Sequence, residues 1–185
     1  MKETKRYTVS IYTENNLGLL NRISAIFLKR HLSIDSINSS PCEIKEIFRF
    51  VIVLKSEEEL IKKVITQIEK QIEVIAAFFH TDEETIFQES ALYKLTSKSL
   101  LEDKNIQNII KNSHANIVTV SKEYFVIEKT GYREETEKLY NELAPFGLLQ
   151  FVRSGRISVT KEPMRITEIL EQKSKKWQII LTNYL

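Results

Sequence analysis

The chain reads as an α+β protein made of two tandem β-α-β-β-α-β units. Three observations point there. Stretches that alternate apolar and polar residues are interleaved with stretches whose apolar residues recur at helical spacing. Their order, strand-helix-strand-strand-helix-strand, runs through the first half and returns in the second. The 185 residues, 42% hydrophobic and 28% charged, suffice for two small units and have an ordinary globular composition.

In the first half, residues 7–13 alternate as a strand, with Tyr7, Val9 and Ile11 on one face and Thr8, Ser10 and Tyr12 on the other. A polar turn, Glu14-Asn15-Asn16, and Gly18 lead into a helix lined by Leu19, Leu20, Ile23, Ile26 and Phe27. Residues 34–38 alternate again, and Pro41 and Cys42 mark a turn. Residues 47–54, rich in β-branched and aromatic side chains, read as a buried third strand. Ser56 with Glu59 is a capping-box signature for a second helix through Leu60, Ile61, Val64, Ile65 and Ile68. Residues 74–79 supply a fourth strand. This is the ferredoxin-like order.

Residues 80–88 are polar and acidic. Beyond them, residues 90–96 read as a strand. Ile106, Ile109 and Ile110 line a helix after Asp103, and strands at 116–121 and 124–128 flank the turn Lys122-Glu123. Gly131 opens a helix carrying Leu139, Tyr140 and Leu143, which Pro145 and Gly147 help to end. Residues 148–159 are a last extended stretch interrupted at Gly155. The expected domains are therefore 1–80, a linker at 81–88, and a second ferredoxin-like domain at 89–162. A tail, 163–185, fits neither unit. In it, Ile166, Ile169 and Leu170 form one amphipathic turn, followed by Lys173, Lys175, Lys176 and an apolar end, Trp177-Gln178-Ile179-Ile180-Leu181, able to dock on the body or a partner.

Charge and cysteine usage narrow the function classes. Lys and Arg number 27 against 25 Asp and Glu, a formal charge of +2, which gives no strong electrostatic case for nucleic acid or anionic membrane. The single cysteine, Cys42, forbids an internal disulfide and fits a reducing compartment. The N-terminus is charged and lacks a signal-peptide apolar stretch, and no apolar run approaches the roughly 20 residues of a membrane helix. The expectation is a soluble cytoplasmic protein.

Few motifs carry chemistry. No phosphate loop and no dinucleotide-binding glycine pattern occurs, and the Cys/His inventory is too small for a closed zinc site. His80 and Asp82 read first as a strand end and linker, second as a metal pair. Glu57-Glu58-Glu59 reads as a dipole-favoured first helical turn, and Cys42 as an inert small residue. Arg153-Ser154-Gly155-Arg156 reads first as a solvated turn, with anion or partner contact as the alternative. The most informative stretch is 14–20. Gly18 permits backbone angles closed to other residues, and the first N–H groups of the helix point into the turn, where with the dipole they suit a carboxylate. Asn15 either caps the helix or hydrogen-bonds a ligand.

The run Thr13-Glu14-Asn15-Asn16-Leu17-Gly18-Leu19-Leu20-Asn21-Arg22-Ile23-Ser24-Ala25-Ile26-Phe27, then Arg30 and Ile34-Asp35-Ser36-Ile37, resembles the N-terminal ACT domain of the acetolactate synthase (acetohydroxyacid synthase) small regulatory subunits. That family carries Glu-Asn-x-x-Gly-x-Leu-x-Arg between its first strand and helix. Residues 116–120 and Val152-Arg153-Ser154-Gly155-Arg156-Ile157-Ser158-Val159 are similar to its C-terminal domain, whose last strand carries Ala-Arg-Ser-Gly. The resemblance spans about residues 6–162. It implies a first unit that is an ACT domain, no catalysis and no cofactor in this chain, and a large catalytic subunit that holds thiamine diphosphate, magnesium and FAD. It also implies a homodimer in which ACT sheets join edge to edge, and feedback by a branched-chain amino acid, typically valine. Carried over, Asn15, Gly18, Leu19 and Leu20 form the loop side of the effector pocket, and Ser33 and Ile34 of the other chain face it. Where the family usually has Gly-Tyr-Asn-Ile, this chain has His31-Leu32-Ser33-Ile34, so a hydroxyl replaces the amide.

Three other readings belong to different classes. A stand-alone ACT-domain amino acid sensor uses the same unit; a transcription regulator of that kind needs a helix-turn-helix, and none is evident. Tandem RNA-recognition domains share the element order, and Phe48-Arg49-Phe50 hints at exposed strand aromatics. A small ferredoxin-like enzyme lacks any acid, base and nucleophile constellation.

Overall fold

A computed structural model describes residues 3–102 and 104–173; Asp103 and the expected basic and apolar end at Lys175, Lys176 and 177–181 lie outside the described residues. The chain forms two compact units, Phe87–Ile157 and the rest, Met1–Ile86 with the chain from Ser158 onward.

The first unit contains β1 (Thr4–Glu14), α1 (Leu19–Leu28), β2 (Ile34–Pro41), β3 (Ile47–Glu57), α2 (Glu58–Ile68) and β4 (Val74–Thr81). The sheet order is β2-β3-β1-β4, antiparallel throughout. The alternation read from β1 has a physical outcome. Tyr7, Val9 and Ile11 pack with Phe50, Ile52 and Leu54 of β3 beneath Leu19, Ile23, Ile26 and Phe27 of α1 and Ile61, Val64, Ile65 and Ile68 of α2. The opposite face carries a smaller cluster, in which Tyr12, Ile47, Ile75 and Ala76 meet Ile166 and Leu170. Residues 166–173 are helical, so the described part of the expected tail packs on its own unit.

Two local expectations differ. Ser56 does not cap α2: it lies within β3, its hydroxyl donates to the Glu57 carbonyl at 3.1 Å, and Glu57 occupies the capping position in extended conformation. Strand pairing of Ser56 with Lys5 outcompetes the local cap. In the stretch read as a linker, Asp82–Glu84 form a 3-10 turn closed by the Thr81 N–H and hydroxyl donating to the Glu84 carboxylate at 2.7 and 2.9 Å. These bonds hold the Glu84 carboxyl below its usual range.

The second unit contains β5 (Thr85–Thr96, from Phe87 onward), α3 (Ser97–Glu102), α4 (Lys104–Asn112), β6 (Asn116–Val120), β7 (Tyr124–Gly131), α5 (Arg133–Leu143) and β8 (Leu148–Arg153), with order β6-β7-β5-β8; β9 (Ile157–Thr160) follows, and from Ser158 the chain belongs to the first unit. β5 starts five residues before the expected strand, and α3 was not expected. The core gathers Ala91, Tyr93, Leu95, Phe125 and Ile127 under Ile106, Ile110, Leu139 and Leu143. Tyr93 donates its hydroxyl to the Thr136 carbonyl at 2.7 Å, and burial pushes its phenol up to about 12.

The two units repeat one detail that the sequence hides. α1 ends with the Leu32 N–H reaching the Phe27 carbonyl (3.1 Å) and the His31 N–H reaching Leu28 (2.9 Å). α4 ends alike, with Ala115 to Ile110 (3.1 Å) and His114 to Lys111 (3.2 Å). Both are Schellman closures, which need one residue in the left-handed region. Here that residue is a histidine, at φ +55° in His31 and +54° in His114. His31 is where the resemblance places glycine. His31→Gly is expected to raise stability by about 0.5–1 kcal/mol, the left-handed penalty removed less the added chain entropy. Urea denaturation checks it, and an unchanged or lower midpoint contradicts it.

Candidate functional site

β1 ends at Glu14, and the chain turns into α1 at Gly18, which stands at φ +79°, ψ −1°. A side chain there would meet no neighbouring atom within 4 Å, so the requirement for glycine is conformational and the space beside it is open. The turn is held by backbone bonds: Asn16 N–H to Glu14 O (3.1 Å), Leu19 N–H to Asn16 O (3.4 Å) and Arg22 N–H to Gly18 O (3.2 Å). Asn15 does not cap α1; it is exposed, and no side chain fills that role. The cap fails because Gly18, three residues further on, is the residue that leaves the turn.

The first turn of α1 carries no acidic residue, nor do those of α3 and α4, whereas α2 opens with Glu58 and Glu59 and α5 with Glu134 and Glu135. Those carboxylates answer the positive ends of their dipoles from within the chain. At α1 the corresponding N–H groups face a turn built of Asn15, Asn16 and Gly18. Leu17 is fully exposed and Leu20 is 44% exposed, so two apolar side chains flank the same amides. The side chain of Leu19 is in the core at 2% exposure, so it does not face the open side of the turn.

A brace that sequence reading missed fixes this turn. Glu73, just before β4, accepts the Glu14 N–H on its carbonyl (3.0 Å) and the Arg22 guanidinium on its carboxylate (2.5 Å). One residue thus ties both ends of the turn. Arg22 belongs to the motif, but its partner is 51 residues away and leaves no local signal.

Ser33 and Ile34 are elsewhere. Ile34 lies opposite Leu54, which lies opposite Tyr7, whereas Glu14 lies opposite Ile47. Seven steps along β1 separate the two ends, roughly 24 Å at strand rise. Within one chain, Asn15, Gly18, Leu19 and Leu20 come together, and Ser33 and Ile34 sit at the opposite end of the sheet. Ser33 is exposed, and β2, which it precedes, is an outer strand of that sheet.

The remaining candidates resolve into structure. Arg153-Ser154-Gly155-Arg156 is not a solvated turn. Arg153, 11% exposed, pairs with Glu137 and with Glu89 (3.9 Å). Ser154 accepts the Ser90 N–H at 2.9 Å, and Arg156 is buried with its guanidinium 3.5 Å from the Phe87 ring centre. Their partners come from distant sequence. Burial and a hydrogen bond to Glu43 push the Cys42 thiol up. Phe50 points into the helix-side core at 7% exposure, which removes it as a stacking platform for RNA. Among the described residues no group of three His, Cys, Asp or Glu is placed to hold a metal ion, and no helix is long and apolar enough to cross a membrane.

A family model described as AHAS small subunit-like ACT domain matches residues 9–76. A second, described as small subunit of acetolactate synthase, matches residues 88–162. The chain belongs to the acetolactate synthase small-subunit family. Among its relatives, the acetolactate synthase small subunit of Mycobacterium bovis is 31% identical over 162 residues, covering 88% of this chain and 96% of that one. The Bacillus subtilis small subunit is 31% identical over 148 residues, covering 80% and 86%. The crystal structure of the small subunit from Thermotoga maritima shares the fold, with a TM-score of 0.74 at 24% identity over 86% of this chain and 99% of that one. Both units therefore have the tandem ferredoxin-like architecture of the family, the first being an ACT domain.

Glu73→Gln leaves the backbone bond to Glu14 and removes the ion pair with Arg22. Amide exchange across residues 14–19 is expected to quicken several-fold, with global stability changed by less than about 1 kcal/mol because Arg22 is half exposed. Exchange measured by mass spectrometry checks it; unchanged protection there contradicts the bracing role.

Proposed function

We propose that this chain is a non-catalytic regulatory subunit. It raises the activity of a thiamine-diphosphate-dependent acetolactate synthase subunit and makes that activity respond to a branched-chain amino acid, valine first. Family membership supports the pairing with a catalytic subunit. The observation that carries the regulatory reading is the turn at Gly18, where a helix N-terminus with no side-chain cap, no resident carboxylate and two exposed leucines share one surface.

The effector site needs two chains. Two copies joined along β2 in antiparallel fashion set the start of one β2 beside the end of the other. Pro41 at the end of β2 lies opposite Phe48, which lies opposite Thr13, so that end is the Gly18 end of the sheet. A two-fold pairing therefore carries the partner copy's Ser33 and Ile34 across the roughly 24 Å that separate them from the turn in one chain. The amino acid's carboxylate takes the amides at Gly18, its ammonium has Asn15 within the same turn, and its side chain lies against Leu20. A ligand shared by two chains binds the dimer better than the separated copies and so biases whatever state the dimer adopts.

Coupling of about 1–3 kcal/mol, or 5–150-fold, is the expected scale. The test is reconstitution: the chain is expected to co-purify with an acetolactate synthase large subunit, to raise its turnover, and to lower it again as valine is added. No activation contradicts the regulatory subunit, and activation unmoved by valine, leucine and isoleucine contradicts the effector site. A chain that binds those amino acids but captures no synthase subunit is instead a stand-alone ACT sensor.

Gly18→Asp places a carboxylate beside the ligand's own. It is expected to abolish the effector response while activation stays within about two-fold; joint loss of both makes the turn purely structural. Ser33→Asn restores the longer amide reach and is expected to lower the half-maximal valine concentration about 3–10-fold, a gain of roughly 1 kcal/mol for one hydrogen bond. A shift the other way contradicts the placement of Ser33.

A further inference from the structure

The face of the first sheet turned away from α1 and α2 holds a cavity of about 280 Å³, and every residue lining it belongs to the first unit. Register lays out its floor. Thr8 stands beside His80, Ser10 beside Phe78 and Tyr12 beside Arg49. The chain returning through β9 adds the hydroxyl residues Ser158 and Thr160, then the apolar Pro163, Met164 and Ile166. The Lys161 N–H, bonded to the Glu84 carbonyl at 2.8 Å, pins this returning segment.

A sheet face covered for stability alone needs only apolar side chains, as the helix-side face shows with Val9, Ile11, Ile52 and Leu54. Here β1 presents three hydroxyls, on Thr8, Ser10 and Tyr12, and β3 adds the guanidinium of Arg49. Arg49 Nε is buried and has no hydrogen-bond partner among the described residues. The guanidinium meets the Tyr12 phenol and lies within electrostatic reach of Glu43, which leaves Nε as its unanswered donor; a buried donor without an acceptor is costly, and a carboxylate is the group whose geometry answers it. Burial pushes the Tyr12 phenol up, so it remains a neutral hydrogen-bonding group beside Arg49. The volume admits a metabolite of amino-acid size and is too small for a nucleotide.

We propose that this cavity binds a small carboxylic acid with an apolar body, its carboxylate on Arg49 and its body against Phe78, Met164 and Ile166. Two classes of compound carry that chemistry, aliphatic or aromatic 2-amino acids and the matching 2-oxo acids. Glu43, on the same rim, has a place for the ammonium of the former. Neither Gly18 nor Ser33 lines the cavity, so the site stands apart from the dimer-spanning one and does not rest on it.

The test uses the full chain carrying Gly18→Asp, which silences the turn at α1. Calorimetric and NMR titrations with valine, phenylalanine, 2-oxoisovalerate and phenylpyruvate are expected to show saturable binding, with shifts at Ser10, Arg49 and Thr160. Arg49→Gln is expected to weaken binding at least ten-fold. Met164→Trp, which fills the cavity, has the same expected effect and decides alone if Arg49→Gln does not fold. Binding of the amino acids only places the ammonium on Glu43; binding of both classes places the recognition on Arg49. Absence of binding by all four acids at millimolar concentration, or affinity unchanged in both variants, overturns the site.

Discussion

β2 is one of the two outer strands of a four-stranded sheet, the other being β4, and among the described residues no strand pairs with its far side. A row of backbone N–H and C=O groups left open in this way is a template for another strand. The sequence of β2, Ile34-Asp35-Ser36-Ile37-Asn38-Ser39-Ser40-Pro41, does little to blunt it: proline comes only at the last position, and the charge comes once, on Asp35 facing Arg6 at 3.9 Å. The regulatory account depends on that edge. In the proposed dimer, joining two edges would satisfy the open hydrogen-bonding groups of β2, and the same operation would bring together residues that stand at opposite ends of one chain.

The α1 turn supplies the chemistry that such a pocket needs. Gly18 holds a left-handed conformation with open space beside it. Glu73 grips the turn from both sides, so the amides are presented by a rigid frame, and little ordering entropy remains to be lost on binding. A carboxylate in the first turn of α1 would compete with a ligand's own. Its omission, which α3 and α4 share and α2 and α5 do not, leaves that helix end without a charge from its own chain, as the proposed site requires.

How much of this was legible in the sequence follows from the range of each interaction. Alternation in β1 and the stripe from Leu19 to Phe27 are local, and they revealed both strand faces and α1 correctly. The Asn15-to-Gly18 turn was legible because left-handed glycine and helix-end amides are local features as well. Ser56 misled, since a local capping signature lost to pairing with Lys5 on a neighbouring strand. Arg153 and Arg156 looked solvated because Glu89, Glu137 and Phe87 are distant in sequence. The histidine closures at His31 and His114 were hidden because histidine, unlike glycine, does not advertise a positive φ. Arg49 sat inside an apolar strand as a possible nucleic-acid signal; only the sheet's register shows that it faces a cavity away from Phe48 and Phe50.

The central claim is a distance that one chain forbids and two chains create. Paramagnetic relaxation measures it directly. A chain with a nitroxide on Asn16→Cys and also carrying Cys42→Ser is mixed with isotope-labelled chain that bears no nitroxide. Strong broadening of the amides of Ser33 and Ile34 in the labelled chain, deepened by valine, is the result this account predicts. Unbroadened amides at those two positions, in a mixture shown to exchange subunits or in one that stays monomeric, would contradict it.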